Sequence, residues 1–139
     1  YTFTFSEAVS DFVVGDITLS GGTKGAFTET VTGTTWTLLV TVPDDSTTSI
    51  TADVAASVAT DSNANANVVA TQTTQVVDTT NPTVTITSDQ SGTADDADNT
   101  ILYTFTFSET VSGFVADDIS LSAGTKGAFT ETVTGTTWT

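Results

Sequence analysis

The chain has no cysteine, no histidine and no methionine, and its two basic residues, Lys24 and Lys126, leave it without arginine. Each absence removes a class of chemistry. Without Cys there is no disulfide staple and no thiol chemistry. Without His or Cys, the usual nucleophile and base pairs of hydrolases cannot be assembled. Two basic residues against seventeen acidic ones give a formal net charge of −15. Such a surface repels nucleic acid and anionic membranes, since both need clustered Lys or Arg. Divalent cations are the partners it favours. The 139 residues contain no apolar stretch long enough to insert into a membrane, and they begin at Tyr1 without a signal peptide.

What is present is repetition. Residues 1–37 return as residues 103–139, an offset of 102 residues, with six positions changed and the last sixteen residues of each copy identical. A period of that length is too long for a solenoid turn and right for a whole small domain. The chain therefore reads as a window on a longer array of like domains. Thr is its commonest residue, yet the aromatic and β-branched residues keep a period of two. That is strand chemistry rather than disorder.

A repeat opens at Pro82, where a missing N–H costs nothing in a sheet. The first strand spans 83–88, with Val84 and Ile86 on one face, and an acidic loop 89–99 follows. In 101–108, Tyr103, Phe105 and Phe107 alternate with Thr104 and Thr106, which sends the rings inward. A short strand near Ile119 and Leu121 precedes a Gly-Thr-Lys-Gly turn, and Phe129 and Val133 share a face of the strand after it. The rest is read from the first copy. Trp36, Leu38, Val40 and Val42 form one stripe, stopped by Pro43-Asp44-Asp45. Ile50, Ala52 and Val54 line the next strand, and a final strand spans 68–77. The pattern predicts an all-β fold, an immunoglobulin-like antiparallel β-sandwich of about seven strands. Residues 1–77 make one repeat lacking its first strand, 78–82 a Pro-stiffened linker, and 83–139 the N-terminal part of the next repeat.

The strings Phe3-Thr4-Phe5-Ser6-Glu7-Ala8-Val9, Asp16-Ile17-Thr18-Leu19, Val58-Ala59-Thr60-Asp61 and Asp78-Thr79-Thr80-Asn81-Pro82-Thr83-Val84 resemble the bacterial Ig-like tandem repeats of large extracellular adhesins and fibres. The resemblance covers the whole chain. It implies a structural role at the bacterial cell surface or outside the cell, with calcium held at domain junctions by carboxylates and carbonyls. Asn63-Ala64-Asn65 stands where that family's calcium loop usually has a Gly after the Asp.

The residues offer several candidate sites. For calcium, Asp44, Asp45, Asp78, Glu109 and Asp117 are the junction candidates, with Asp61 and Asn63 in the Asn-rich loop, because the ion takes six to eight oxygens. The competing reading is that these acids keep a long fibre soluble. Lys24 and Lys126 are the residue type of an isopeptide cross-link, but a Gly-flanked turn favours a solvated charge. Thr rows such as Thr2/Thr4, Thr28/Thr30/Thr32 and Thr83/Thr85/Thr87 are candidates for O-linked glycans. Glu29 and Asp53 are acids of the type a glycosidase uses, but thin loops leave no concave pocket, so the sequence reads as a non-enzyme.

The partners expected are other copies of the same repeat, in the same chain or in neighbouring subunits that complete each other's sandwiches by strand donation. A carbohydrate- or surface-binding module is the alternative, and it requires exposed aromatics on loops. Only Phe12 and Phe114 lie near loops, and they are expected to plug the ends of the core.

Overall fold

The computed structural model describes residues 1–96 and 98–139. The chain divides into two compact units, Tyr1–Thr80 and Asn81–Thr139. Thr79 belongs to the first of them: its N–H donates to the Ser46 carbonyl at 2.9 Å, and its hydroxyl donates to the Pro43 carbonyl at 2.8 Å.

The first unit contains β1 (Thr2–Thr4), β2 (Val9–Ser10), β3 (Ile17–Leu19), β4 (Thr23–Val31), β5 (Thr35–Thr41), β6 (Ile50–Val54), β7 (Thr60–Asp61) and β8 (Thr73–Gln75). Antiparallel pairing gives one sheet in the order β1-β5-β4, a second in the order β3-β6-β8, and a short β2-β7 ladder. The period-two stripes decide which faces meet. Trp36 and Leu38 of β5 and Ile50, Ala52 and Val54 of β6 are all buried, while Thr37, Thr51 and Asp53 between them are less so. Phe12, Ile17, Trp36, Leu38, Val54 and Ala59 form the core cluster.

The second unit contains β9 (Val84–Ser88), β10 (Tyr103–Phe107), β11 (Glu131–Val133) and β12 (Thr137–Trp138), in the sheet order β11-β12-β10-β9. By the repeat offset, β10, β12 and β11 are the counterparts of β1, β5 and β4. Combining the copies, one full repeat carries a four-stranded sheet led by a β9-type strand and a three-stranded sheet of β3, β6 and β8 type. That is the strand arrangement of a constant-type immunoglobulin sandwich.

Phe12 sits at the centre of the first core. Its ring centroid lies 5.9 Å from Phe3, 5.0 Å from Phe5, 5.7 Å from Phe27 and 5.2 Å from Trp36, in tilted or edge-on geometry. Phe114 repeats the constellation with Phe105, Phe107, Phe129 and Trp138 at 5.5, 5.0, 5.5 and 5.3 Å. Edge-to-face packing of this kind stabilises beyond simple burial. The two residues expected to plug the ends of the core are its hubs.

The backbone just before each hub is also repeated. Asp11 adopts φ 68°, and Gly113 takes φ 83° at the equivalent position. A side chain at positive φ is strained, though Asp tolerates it better than most. Asp11→Gly should therefore raise the stability of the first unit, by about 0.5 kcal/mol once the extra freedom of the unfolded chain is offset. Urea titration of the two proteins checks this, and a lowered midpoint would show that the bond from Ser10 Oγ to Asp11 Oδ2 (3.0 Å) outweighs the strain.

Four local expectations are corrected. Residues 68–77 do not form one strand: only Thr73–Gln75 pair with β6, and Val68 is 83 % exposed. Phe129 and Val133 do not share a face, and neither do their counterparts Phe27 and Val31 in the first copy. A register shift between Glu29 and Val31 inserts a bulge, which leaves Phe27 in the ring cluster and Val31 56 % exposed; the same shift recurs between Glu131 and Val133. The first Gly-Thr-Lys-Gly segment is strand rather than turn, because Thr23 and Lys24 pair with Thr41 and Val40. Finally, the Trp36 stripe ends at Val40, since β5 stops at Thr41 and Val42 is exposed.

Candidate functional site

The acidic candidates fall into separate places. Asp44, Asp45 and Asp78 belong to the first unit, and Glu109 and Asp117 to the second. The Thr79 bonds to Pro43 and Ser46 hold the Asp78 segment beside the Asp44-Asp45 turn. Among the described residues, however, no three acidic side chains come together as a metal-holding group.

Asp61 ends β7 and Asn63 lies in the loop that follows it, and hydrogen bonds define the role of Asp61. Its Oδ1 accepts the backbone N–H groups of Asn63 and Asn65, each at 2.8 Å, and its Oδ2 accepts the Asn65 side-chain amide at 2.8 Å. The Asn65 side-chain amide first, then the Asn65 and Asn63 N–H groups, hold the carboxyl below its usual 3.8, while burial acts the other way. The donors stabilise the charged form, so this contribution is present above the unfolded-state value and lost as pH falls through the lower folded value. Asp61→Asn should therefore be less stable than the parent at neutral pH, with the gap closing below pH 3.8. Thermal midpoints of both proteins from pH 2 to 7 test this, and a gap constant with pH would overturn it.

Asn67, which carried no functional expectation, is the second fastener of this loop. Its Oδ1 accepts the N–H groups of Val58 and Ala59, both at 2.9 Å, and its Nδ2 donates to the carbonyls of Ala55 (2.8 Å) and Val68 (2.9 Å). Every hydrogen-bonding group of the amide is used. The sequence signal was the alternation of Asn63, Asn65 and Asn67 with Ala, which allows successive side chains to fasten the same loop. Ala64 takes φ 66° to let it turn.

A different feature lies at the side of the first unit. β1 is the edge of its sheet. Phe5 N–H donates to Thr34 O and Leu38 N–H to Tyr1 O, both at 2.9 Å, so Tyr1, Phe3 and Phe5 direct their main-chain groups at β5. The alternation of an antiparallel ladder then points those of Thr2 and Thr4 outward, away from β5. Along this edge runs a groove of about 880 Å³, with Phe3, Phe5, Ile50, Ala52, Val54 and Val69 among its lining. In the second unit the corresponding edge is occupied by β9, in full register from Tyr103↔Ser88 to Phe107↔Val84.

The sandwich arrangement agrees with comparison to known proteins. The family model of the bacterial Ig-like domain matches twice, over residues 1–77 and 78–139. The chain belongs to the bacterial Ig-like domain family. Comparison with curated proteins and with solved structures found no match. Bacterial Ig-like domains are structural modules, typically displayed at the cell surface. Among the described residues, no helix is long and apolar enough to cross a membrane.

The remaining polar residues of this Ig-like chain act locally. Lys24 Nζ donates to the carbonyls of Val14 (2.9 Å) and Ile17, clamping the one-turn 3₁₀ helix Val14–Asp16 to β4, and Lys126 donates to Ala116 at 2.6 Å in the second copy. Both lysines are exposed. Glu29 Oε1 accepts the Gly33 N–H at 2.5 Å, and Asp53 accepts the Gln72 amide. Glu29 stands on β4 and Asp53 on β6, strands of different sheets.

Proposed function

We propose that this chain is a structural repeat of an extracellular bacterial fibre or adhesin stalk, in which Ig-like units follow one another to build length. The observation that carries the reading is the repetition of the aromatic cluster of the interior. The six positions at which the copies differ leave every ring of the Phe12 and Phe114 constellations unchanged. What is kept is the packing that makes a stiff sandwich, and what varies lies outside those rings. A glycan-binding module would instead present aromatics on its loops, and here Phe12 and Phe114 are packed among other rings.

Tandems of two, three and four 102-residue repeats, measured by small-angle X-ray scattering, test the proposal. The maximum dimension should grow by a constant increment per repeat. Compaction of the longer tandems, or specific capture of glycans by a single repeat, would replace the stalk with the adhesive alternative.

Two further parts of the proposal have their own readouts. Thr2, Thr4, Thr28, Thr30, Thr32, Thr83, Thr85 and Thr87 are all exposed, which supports O-linked glycans on their hydroxyls; an intact mass equal to that of the bare chain removes this part. Calcium is proposed as the ion taken up by the acidic loops as their carboxylates rearrange around it, relieving repulsion in a chain of net charge −15. Its test is thermal unfolding of a two-repeat tandem in calcium and in chelator at equal ionic strength. A higher midpoint in calcium is expected, and equal midpoints remove the ion.

A further inference from the structure

We propose that the joint between successive repeats is confined to Thr80, Asn81 and Pro82 by two hydroxyl latches, Thr79 at the exit of one repeat and Ser108 at the entry of the next. This rests on the reading of the chain as a stalk, and it names the side chains that set the stalk's stiffness. The residue pattern predicts a linker over 78–82. Hydrogen bonds shorten it. Val77 is buried, and two residues further on Thr79 is tied by main chain and side chain alike. Its N–H donates to the Ser46 carbonyl at 2.9 Å. Its hydroxyl accepts the Ser46 N–H at 3.0 Å and donates to the Pro43 carbonyl at 2.8 Å. A hydroxyl is a side chain that can do both at once.

The far side is closed in the same way. Thr83 N–H donates to Ser108 Oγ at 3.0 Å, and Ser108 N–H donates to the Thr83 carbonyl at 2.9 Å. The ladder of β9 with β10 begins at the next residue, Val84 opposite Phe107. Ser6 stands at the position of Ser108 in the first copy. Each latch lies within its own unit, so neither needs a contact across the joint.

What remains between the latches is stiff by its own chemistry. Thr80 N–H donates to Asp78 Oδ1 at 3.3 Å. The Pro82 ring fixes its own φ and pushes Asn81 before it toward an extended backbone. Three residues span at most about 10–11 Å, which leaves little slack. The latches are built from hydroxyls, amides and carbonyls, so they hold without an ion. Releasing Thr79 returns Asp78 and Thr79 to the joint. The spread of a flexible segment grows as the square root of its length, and three residues becoming five widens it about 1.3-fold.

The test is pulsed electron–electron double resonance on two complete repeats joined through the natural linker. Spin labels go on Thr28→Cys and on its counterpart Thr130→Cys, both exposed and unique in a chain that lacks cysteine. A single narrow distance distribution is expected, of equal width in calcium and in chelator. Thr79→Val should widen it at least about 1.3-fold, while Thr79→Ser, which keeps the hydroxyl, should match the parent. Ser108→Ala should widen it from the other side. Thermal unfolding of each variant shows that both repeats stay folded at the measuring temperature.

A parent distribution as broad as that of Thr79→Val overturns the proposal. So does one that is narrow only in calcium, because the ion then holds the joint, and so does a Thr79→Ser variant as broad as Thr79→Val. If Thr79→Val unfolds its repeat, Ser108→Ala decides alone, and an unchanged width there overturns the latch. Failure of the stalk reading shows separately, as specific capture of glycans by a single repeat, which has no joint.

Discussion

Phe12→Ala is expected to abolish stable folding of the first unit at room temperature. Phe12 is 6 % exposed and touches four other rings drawn from β1, β4, β5 and the segment ahead of β2. Removing a buried ring of this kind costs about 3–5 kcal/mol, the sum of lost transfer energy and the cavity left behind. The edge-to-face pairs add about 0.5–1.5 kcal/mol each to what is lost. Domains have only about 5–15 kcal/mol in total, so the remainder is close to zero. Trp36, edge-on to Phe12, reports the change directly by fluorescence in urea, with Trp138→Phe as background to silence the only other indole. Phe114→Ala should cost less, because Phe114 is only half-buried. A Phe12→Ala midpoint within about 1 kcal/mol of the parent would mean that the ring cluster is not what holds the sheets together.

The sequence and the structure agree best where burial is two-sided and strictly periodic. The stripes Trp36/Leu38 and Ile50/Ala52/Val54 were legible because each inward position is apolar and each outward one tolerates Thr or Asp, so register and face followed from the alternation. The same logic failed in β4. Phe129 and Val133, the counterparts of Phe27 and Val31, are four residues apart and read as one face, but in both copies a bulge adds a residue and turns the valine outward. Nothing in Thr-Glu-Thr-Val marks that bulge, since Thr serves on either face. The 68–77 segment misled for the opposite reason. Its valines carry strand propensity, yet only Thr73–Gln75 form a ladder with β6, Ala70 adds a single bond to the Val54 carbonyl, and the Val68 carbonyl is held by the Asn67 side chain. Propensity gave way to a hydrogen-bonded loop that no periodicity encodes.

That loop carries the second large effect. Asn67→Ala should destabilise the first unit by about 2–6 kcal/mol, because four hydrogen bonds worth about 0.5–1.5 kcal/mol each are removed together. The loss is not relieved by water at every group: Ala59 is 2 % exposed, so its N–H is left facing the interior without an acceptor. Asn67→Asp separates the two halves of the amide's work. The carboxylate still accepts from Val58 and Ala59, but its second oxygen now confronts the carbonyls of Ala55 and Val68. At neutral pH this variant should be destabilised as well, and below about pH 4 protonation should restore a donor and part of the stability. Hydrogen exchange of the Val58 and Ala59 amides locates the effect, since both should lose protection in Asn67→Ala while the β5 amides exchange only with global unfolding. Unchanged protection at Val58 and Ala59 would show that the loop is held by the β2-β7 ladder and the Asp61 carboxylate, with Asn67 following their lead.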